Sequence, residues 1–201
     1  MELFAAQAAW REDTPLDLEP GCYKLLYVGV LNIERGLDDI IRALKLVLPQ
    51  APEARLYIAG TGNDEPRLRK LVAQEELEGA VRFLGWVPFQ DIHSYVLKSD
   101  LCLVPHVCND FINTTIPNKI FQYMALGKPL LVSNAKPLAR IVRSCGCGFI
   151  FQSGHPADAA ARILEAFALR GDAAIGERGR RCVEQNYTWA VAEVPLLRLY
   201  E

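Results

Sequence analysis

The sequence predicts an α/β fold, an open parallel sheet covered by helices on both faces. Three observations carry this. Apolar spacing switches repeatedly between a period of two and a period of 3.6. The period-two stretches are short and almost wholly apolar, as strands buried on both faces are. Each is followed by a helical stretch, which is how parallel neighbours are connected.

Tyr23 to Val28 reads as the first strand, and Leu37, Ile40, Ile41, Leu44, Val47 and Leu48 then share one helical face that stops at Pro49. The unit repeats with a strand at Arg55 to Ala59, the turn Gly60-Thr61-Gly62, and a helix from about Pro66 to Leu77 that aligns Leu68, Leu71 and Val72. A short strand follows at Val81 to Leu84, then Val87-Pro88 and a helix near Asp91 to Lys98. Leu101 to Val104 is the next strand; a loop runs to Ile116, a helix starts at Pro117, and a strand follows at Leu130 to Ser133. The pattern closes with a helix at Leu138 to Ser144, a strand at Gly148 to Phe151 and a helix at Ala157 to Leu169. Tyr187-Thr188-Trp189 is assigned to packing of the closing segment.

At 201 residues, with 51% hydrophobic and 23% charged side chains, the chain is an ordinary globular sequence of about one domain. A net charge of -2 gives no general pull toward nucleic acid, so any phosphate recognition must be local. No apolar run approaches the ~18 residues of a membrane span, and no signal-like segment opens the chain, which points to the cytosol. Six cysteines are scattered without zinc spacing, and Cys145-Gly-Cys147 is too tight for it; buried reduced thiols are expected. Of the three histidines only His106 falls at a strand end, where a site can use it. No metal site is expected.

In open parallel sheets ligands bind beyond the carboxyl ends of the strands. That singles out Gly29 to Gly36, Gly60 to Asp64, Gly85 to Pro88 and Pro105 to Ile116. The segment NTTIPNKIFQYMALGKPLLVS, residues 113 to 133, adds a helix start with Thr114 and Thr115 as N-cap candidates, Pro117 in the first turn and Lys119 one turn in. Unsatisfied amides beside a lysine suit an anion. Both standard nucleotide loops fail, since Gly60-Thr61-Gly62 lacks its third glycine and Gly127-Lys128-Pro129 lacks the upstream loop.

The order YVGVLNIERGLDDIIRAL, ARLYIAGTGNDEPRLRKL, VRFLGWVP, LCLVP, PNKIFQYMALGKPLLVS, GCGFIF and YTW resembles the C-terminal lobe of family 4 glycosyltransferases. That resemblance implies the GT-B fold, with residues 22–201 a Rossmann-like, doubly wound nucleotide-sugar-binding lobe and residues 1–21 a tail from a preceding lobe. It also implies retaining transfer from a nucleotide-diphosphate sugar to a glycan or lipid-linked acceptor. No cofactor beyond that donor is implied. The acceptor would be held by an N-terminal lobe absent from this chain, which could also attach the enzyme peripherally to the inner membrane.

Carried onto this sequence, the resemblance makes Arg35 and Lys119 the catalytic cations, both expected at the surface. Gly29, Val30, Gly60, Gly62, Val87, Thr114, Thr115, Ile116, Pro117, Asn118 and Gln122 become substrate-binding positions, with Trp86 and Phe89 flanking the base loop. The match departs from the family at four places. Val30 stands where an arginine is usual and Arg35 where a lysine is; Thr114 and Gln122 replace two glutamates that face the sugar and the ribose. Plainer readings exist for several: solvated charges for Arg35 and Lys119, helix punctuation for Thr114, Thr115 and Pro117, and for Gln122 either solvent exposure or packing among Phe121, Tyr123 and Met124. The departures also leave open a catalytically degenerate binding or scaffolding lobe.

Overall fold

The structure, a computed structural model, describes residues 19–191 and 193, so residues 1–18 of the expected tail lie outside it. Six strands form one parallel sheet: β1 (Tyr23–Val28), β2 (Ala54–Ala59), β3 (Val81–Gly85), β4 (Leu101–Val104), β5 (Leu130–Ser133) and β6 (Gly148–Phe151). Their order is β3-β2-β1-β4-β5-β6, which reverses direction between β1 and β4. The helices are α1 (Leu37–Val47), α2 (Glu65–Gln74), α3 (Phe89–Lys98), α4 (Lys119–Ala125), α5 (Lys136–Cys145), α6 (Pro156–Ala168) and α7 (Ala174–Asn186).

Alternation along each strand divides the core. Leu25 and Tyr27 of β1, Leu56 and Ile58 of β2, and Leu101 and Leu103 of β4 pack with α1, α2 and α6 on one face. Leu26, Tyr57, Cys102 and Val104 turn the other way and pack with α3, α4, α5 and α7. With both faces covered, each buried Leu or Ile contributes about 1.5–3 kcal/mol, and a one-residue register slip would exchange the two cores.

Local chemistry moves several boundaries. The expected run to Leu77 stops at Gln74 because Glu76 adopts a left-handed φ of 60 and Leu77 N donates back to Val72 O at 2.9 Å. Helix α4 starts two residues later than the sequence suggests, at Lys119, and the stretch before it holds a 3-10 turn at Ile112–Thr114. Helix α7 is not anticipated at all.

The cysteines also need correction. Cys145, the last residue of α5, is disulfide-bonded to Cys182 of α7, 37 positions on. Its partner comes from the unanticipated helix, so spacing within Cys145-Gly-Cys147 is irrelevant to it. Cys22, Cys102, Cys108 and Cys147 are thiols. In the closing segment Tyr187 packs as expected, its ring centroid 4.9 Å from that of Phe121, whereas Trp189 is 69% exposed and covers little.

Candidate functional site

Because strand order reverses between β1 and β4, the loops after those strands part over opposite halves of the sheet and leave a crevice at its carboxyl edge. Its walls are tied by backbone bonds beyond the strand ends. Gly29 N donates to Ala59 O at 2.9 Å, Leu31 N to Thr61 O at 3.0 Å and Gly60 N to Gly85 O at 2.6 Å. A Cβ on Gly60 would overlap the Gly29 carbonyl, and one on Gly62 the Leu31 carbonyl. Gly60 also needs its φ of +136. Both glycines thus serve the contact of loop with loop.

Gly29, Val30, Gly60 and Val87 meet around one cavity of about 210 Å³, with Thr61 and Trp86 at its mouth and Val28, Ala59 and Ile92 completing the lining. Gly62 is not part of that lining. The cavity has apolar walls and backbone polar groups, a combination suited to a flat ring with polar edges.

Two cations lie close to each other near it, Lys119 against Gly29 and Arg35 within reach of the Lys119 charge. Arg35 ends a 3-10 turn at Ile33–Arg35, and its Nη1 lies 3.4 Å from Nε2 of His106 in the β4 loop. Lys119 opens α4, and its Nζ sits 4.1 Å from the centroid of the Tyr27 ring, whose hydroxyl donates to Val30 O at 2.9 Å. A Cβ on Gly29 would fall 2.8 Å from that ammonium, which puts Lys119 at the cavity's edge. Among the described residues neither cation forms an ion pair with a carboxylate.

Lys119 is therefore not the solvated charge the sequence suggests. Loss of water, and then the Arg35 charge, pull its pKa down to about 7. Burial chiefly, with Lys119 and Arg35 adding to it, takes His106 down to about 3, so the imidazole is neutral at any ordinary pH. An uncompensated pair of positive charges next to an apolar slot is poised for an anion that carries a ring.

The residues before α4 sit differently from expectation. Thr114 Oγ1 donates to Phe111 O at 2.7 Å and Thr115 Oγ1 to Ile112 O at 3.5 Å, so both hydroxyls close the preceding turn and neither caps the helix. Asn118 is the N-cap, without a side-chain bond, and Pro117 precedes it. Thr114 and Ile116 instead join Asn113, Lys136, Pro137 and Arg140 around a second cavity of about 380 Å³. Gln122 is half-buried one turn beyond Lys119 and makes no side-chain hydrogen bond among the described residues. The sequence reading missed Tyr27, Lys136 and Arg140; His106 it flagged by position alone.

The sequence pattern of a family described as glycosyl transferases group 1 matches residues 9–189. The chain is 27% identical over 205 residues to the putative colanic acid biosynthesis glycosyltransferase WcaL of Escherichia coli (strain K12), spanning 100% of this chain and 48% of that one. It spans less than half the length of the curated relatives it matches. Among solved structures, Anabaena Alr3699/HepE in complex with UDP aligns with a TM-score of 0.74 at 17% identity, over 92% of this chain and 50% of that one. The C-terminal domain of the glycosyl transferase group 1 family protein LpcC from Francisella tularensis aligns with a TM-score of 0.72 at 17% identity, over 91% of this chain and 97% of that one. At such identities these two likenesses speak for the fold, a Rossmann-like doubly wound lobe of the GT-B type. A match that runs through nearly every strand and helix described above makes this chain a member of the group 1 glycosyl transferases.

Proposed function

We propose that this chain is the donor-binding lobe of a glycosyltransferase, holding a nucleotide-diphosphate sugar in the crevice while a second lobe presents a glycan or lipid-linked acceptor. The observation that carries this is the Arg35–Lys119 pair, two neighbouring cations without a carboxylate partner among the described residues, with Lys119 at the edge of an apolar cavity. In this reading the base enters between Gly29-Val30 and Trp86-Val87, the diphosphate lies against Arg35 and Lys119, and Gln122 faces the ribose. The sugar lies toward Thr114, Thr115, Ile116 and Asn118.

Chemically, transfer asks the protein to stabilise negative charge growing on a diphosphate leaving group as the sugar acquires oxocarbenium character. Fixed cations in a partly desolvated cleft do that without reorganising, and no metal is needed. Retention of configuration is inherited from the family resemblance. HepE was captured with UDP, which supports a nucleoside diphosphate here, and WcaL is named for colanic acid biosynthesis, which supports a polysaccharide or glycolipid product. Val30, Ile33, Trp86, Phe89 and Phe111 are each at least 60% exposed along the same edge, an apolar rim suited to a facing lobe. No helix among the described residues is long and apolar enough to cross a membrane. On this reading the enzyme works in the cytoplasm and reaches the inner membrane only through its other lobe.

A second reading, a lobe that binds nucleotide sugars but has lost catalysis, is favoured by uncharged Val30, Thr114 and Gln122 at positions where the family carries charge. Calorimetric titration of the chain with UDP, GDP, ADP and TDP tests the first step common to both. One of the four should bind, and Arg35→Ala and Lys119→Ala should each weaken that binding by about 1–3 kcal/mol. No binding by any of them overturns the proposal. Turnover of a donor once the second lobe is supplied separates the enzyme from the degenerate lobe.

A further inference from the structure

Arg35 is held by a neutral partner, whereas several other arginines of this protein are held by carboxylates. Arg67 is bound by Asp38 and Asp64, Arg69 by Glu65, Arg82 by Glu19 and Arg170 by Glu53. Each of those guanidinium groups is anchored by a carboxylate that also cancels its charge. The side-chain hydrogen bond of Arg35 among the described residues goes to the imidazole of His106.

We propose that His106 is a positioning residue for the donor's diphosphate: a buried neutral acceptor that fixes the Arg35 guanidinium without discharging it. The inference rests on the donor-binding reading above and deepens it. A guanidinium has only hydrogens to offer, so the 3.4 Å contact requires the lone pair of Nε2 and places the imidazole proton on Nδ1. His106 is 1% exposed, and its Nδ1 has no hydrogen-bond partner among the described residues. A buried donor left unsatisfied is a standing cost, retained here beside an arginine whose charge no carboxylate offsets among the described residues.

The geometry is fixed from the backbone. Val107 N donates to Glu34 O at 2.9 Å, tying the residue after His106 to the residue before Arg35. The loop and the turn also touch at Gly36, where a Cβ would overlap the Pro105 carbonyl. Both side chains therefore leave backbones locked to each other over the point where strand order reverses. A carboxylate at position 106 would grip Arg35 more tightly and spend the charge meant for phosphate; an apolar group would leave the guanidinium to wander.

Replacement at position 106 tests this with UDP and GDP as probes and the full chain in calorimetry at pH 7. His106→Asn, which keeps a neutral acceptor, should bind within about threefold of the parent. His106→Asp, nearly the same shape with a negative charge, should bind at least tenfold more weakly than the Asn variant. His106→Leu should also lose affinity, by about fivefold. Thermal unfolding of each variant, read alongside, separates charge from packing, because a purely structural role predicts that affinity follows stability. If the Asn and Asp variants are both folded and bind alike, the positioning role is overturned. Should Asp fail to fold, equal affinities of Asn and Leu overturn it. A parent chain that binds neither these nor ADP and TDP overturns the donor reading instead.

Discussion

Lys119 is charged at some expense to the fold. Its pKa drops from the usual 10.5 to about 7, so the native state disfavours the ammonium that the unfolded chain carries freely. That cost is full below pH 7 and is relieved as pH rises from about 7 toward 10.5, because in that window the unfolded chain holds more protons. Lys119→Met should accordingly stabilise the chain without ligand by ~1–2 kcal/mol at pH 6, with the advantage shrinking at pH 9, by urea unfolding at the two pH values. The same variant should lose most of its UDP affinity, and the parent's affinity should itself weaken between pH 7 and 9 as Lys119 discharges. Gln122 admits a complementary change. A carboxylate accepts from both ribose hydroxyls, whereas an amide offers one oxygen, so Gln122→Glu should tighten UDP binding by about 1 kcal/mol. Titration with the 2′,3′-dideoxy analogue should show no gain; an equal gain with both ligands places Gln122 away from the ribose.

At the scale of elements, six strands and six of the seven helices are legible in the sequence because their apolar residues are large and periodic, as Leu37, Ile40, Ile41 and Leu44 are in α1. Helix α7 escapes because its buried face is built from Ile175, Gly176, Gly179 and Val183, and glycine reads as a breaker. Its packing explains the choice: a Cβ on Gly176 would overlap the Gly127 carbonyl, and one on Gly179 would press on Cys147. Gly176→Ala should therefore cost ~1–3 kcal/mol despite the better helix propensity of alanine, as chemical denaturation would show. The placement of the candidate site residues was legible only in part. Cations and loops can be found by their place at strand ends, but Thr114 and Thr115 show that a hydroxyl near a helix start can close its own turn, and no sequence pattern announced that Lys119 lies covered against Tyr27. Such facts depend on which loop covers which side chain.

On the donor-binding reading proposed above, this chain supplies one wall of a cleft. Half a reaction site can bind, but it cannot hold two reactants in register, so the purified chain should fold, stay monomeric or weakly associated, and transfer no sugar. Donor consumption assays on the chain alone and with the missing half added would show whether activity depends on the second lobe. The bond between Cys145 and Cys182 has a further consequence of connectivity. It closes the chain into a ring that contains β6, α6 and the exposed bend at residues 170–173. A protease cutting that bend would open the ring without releasing a fragment: the nicked protein should run as one band on a denaturing gel, and as two only after a thiol reductant is added.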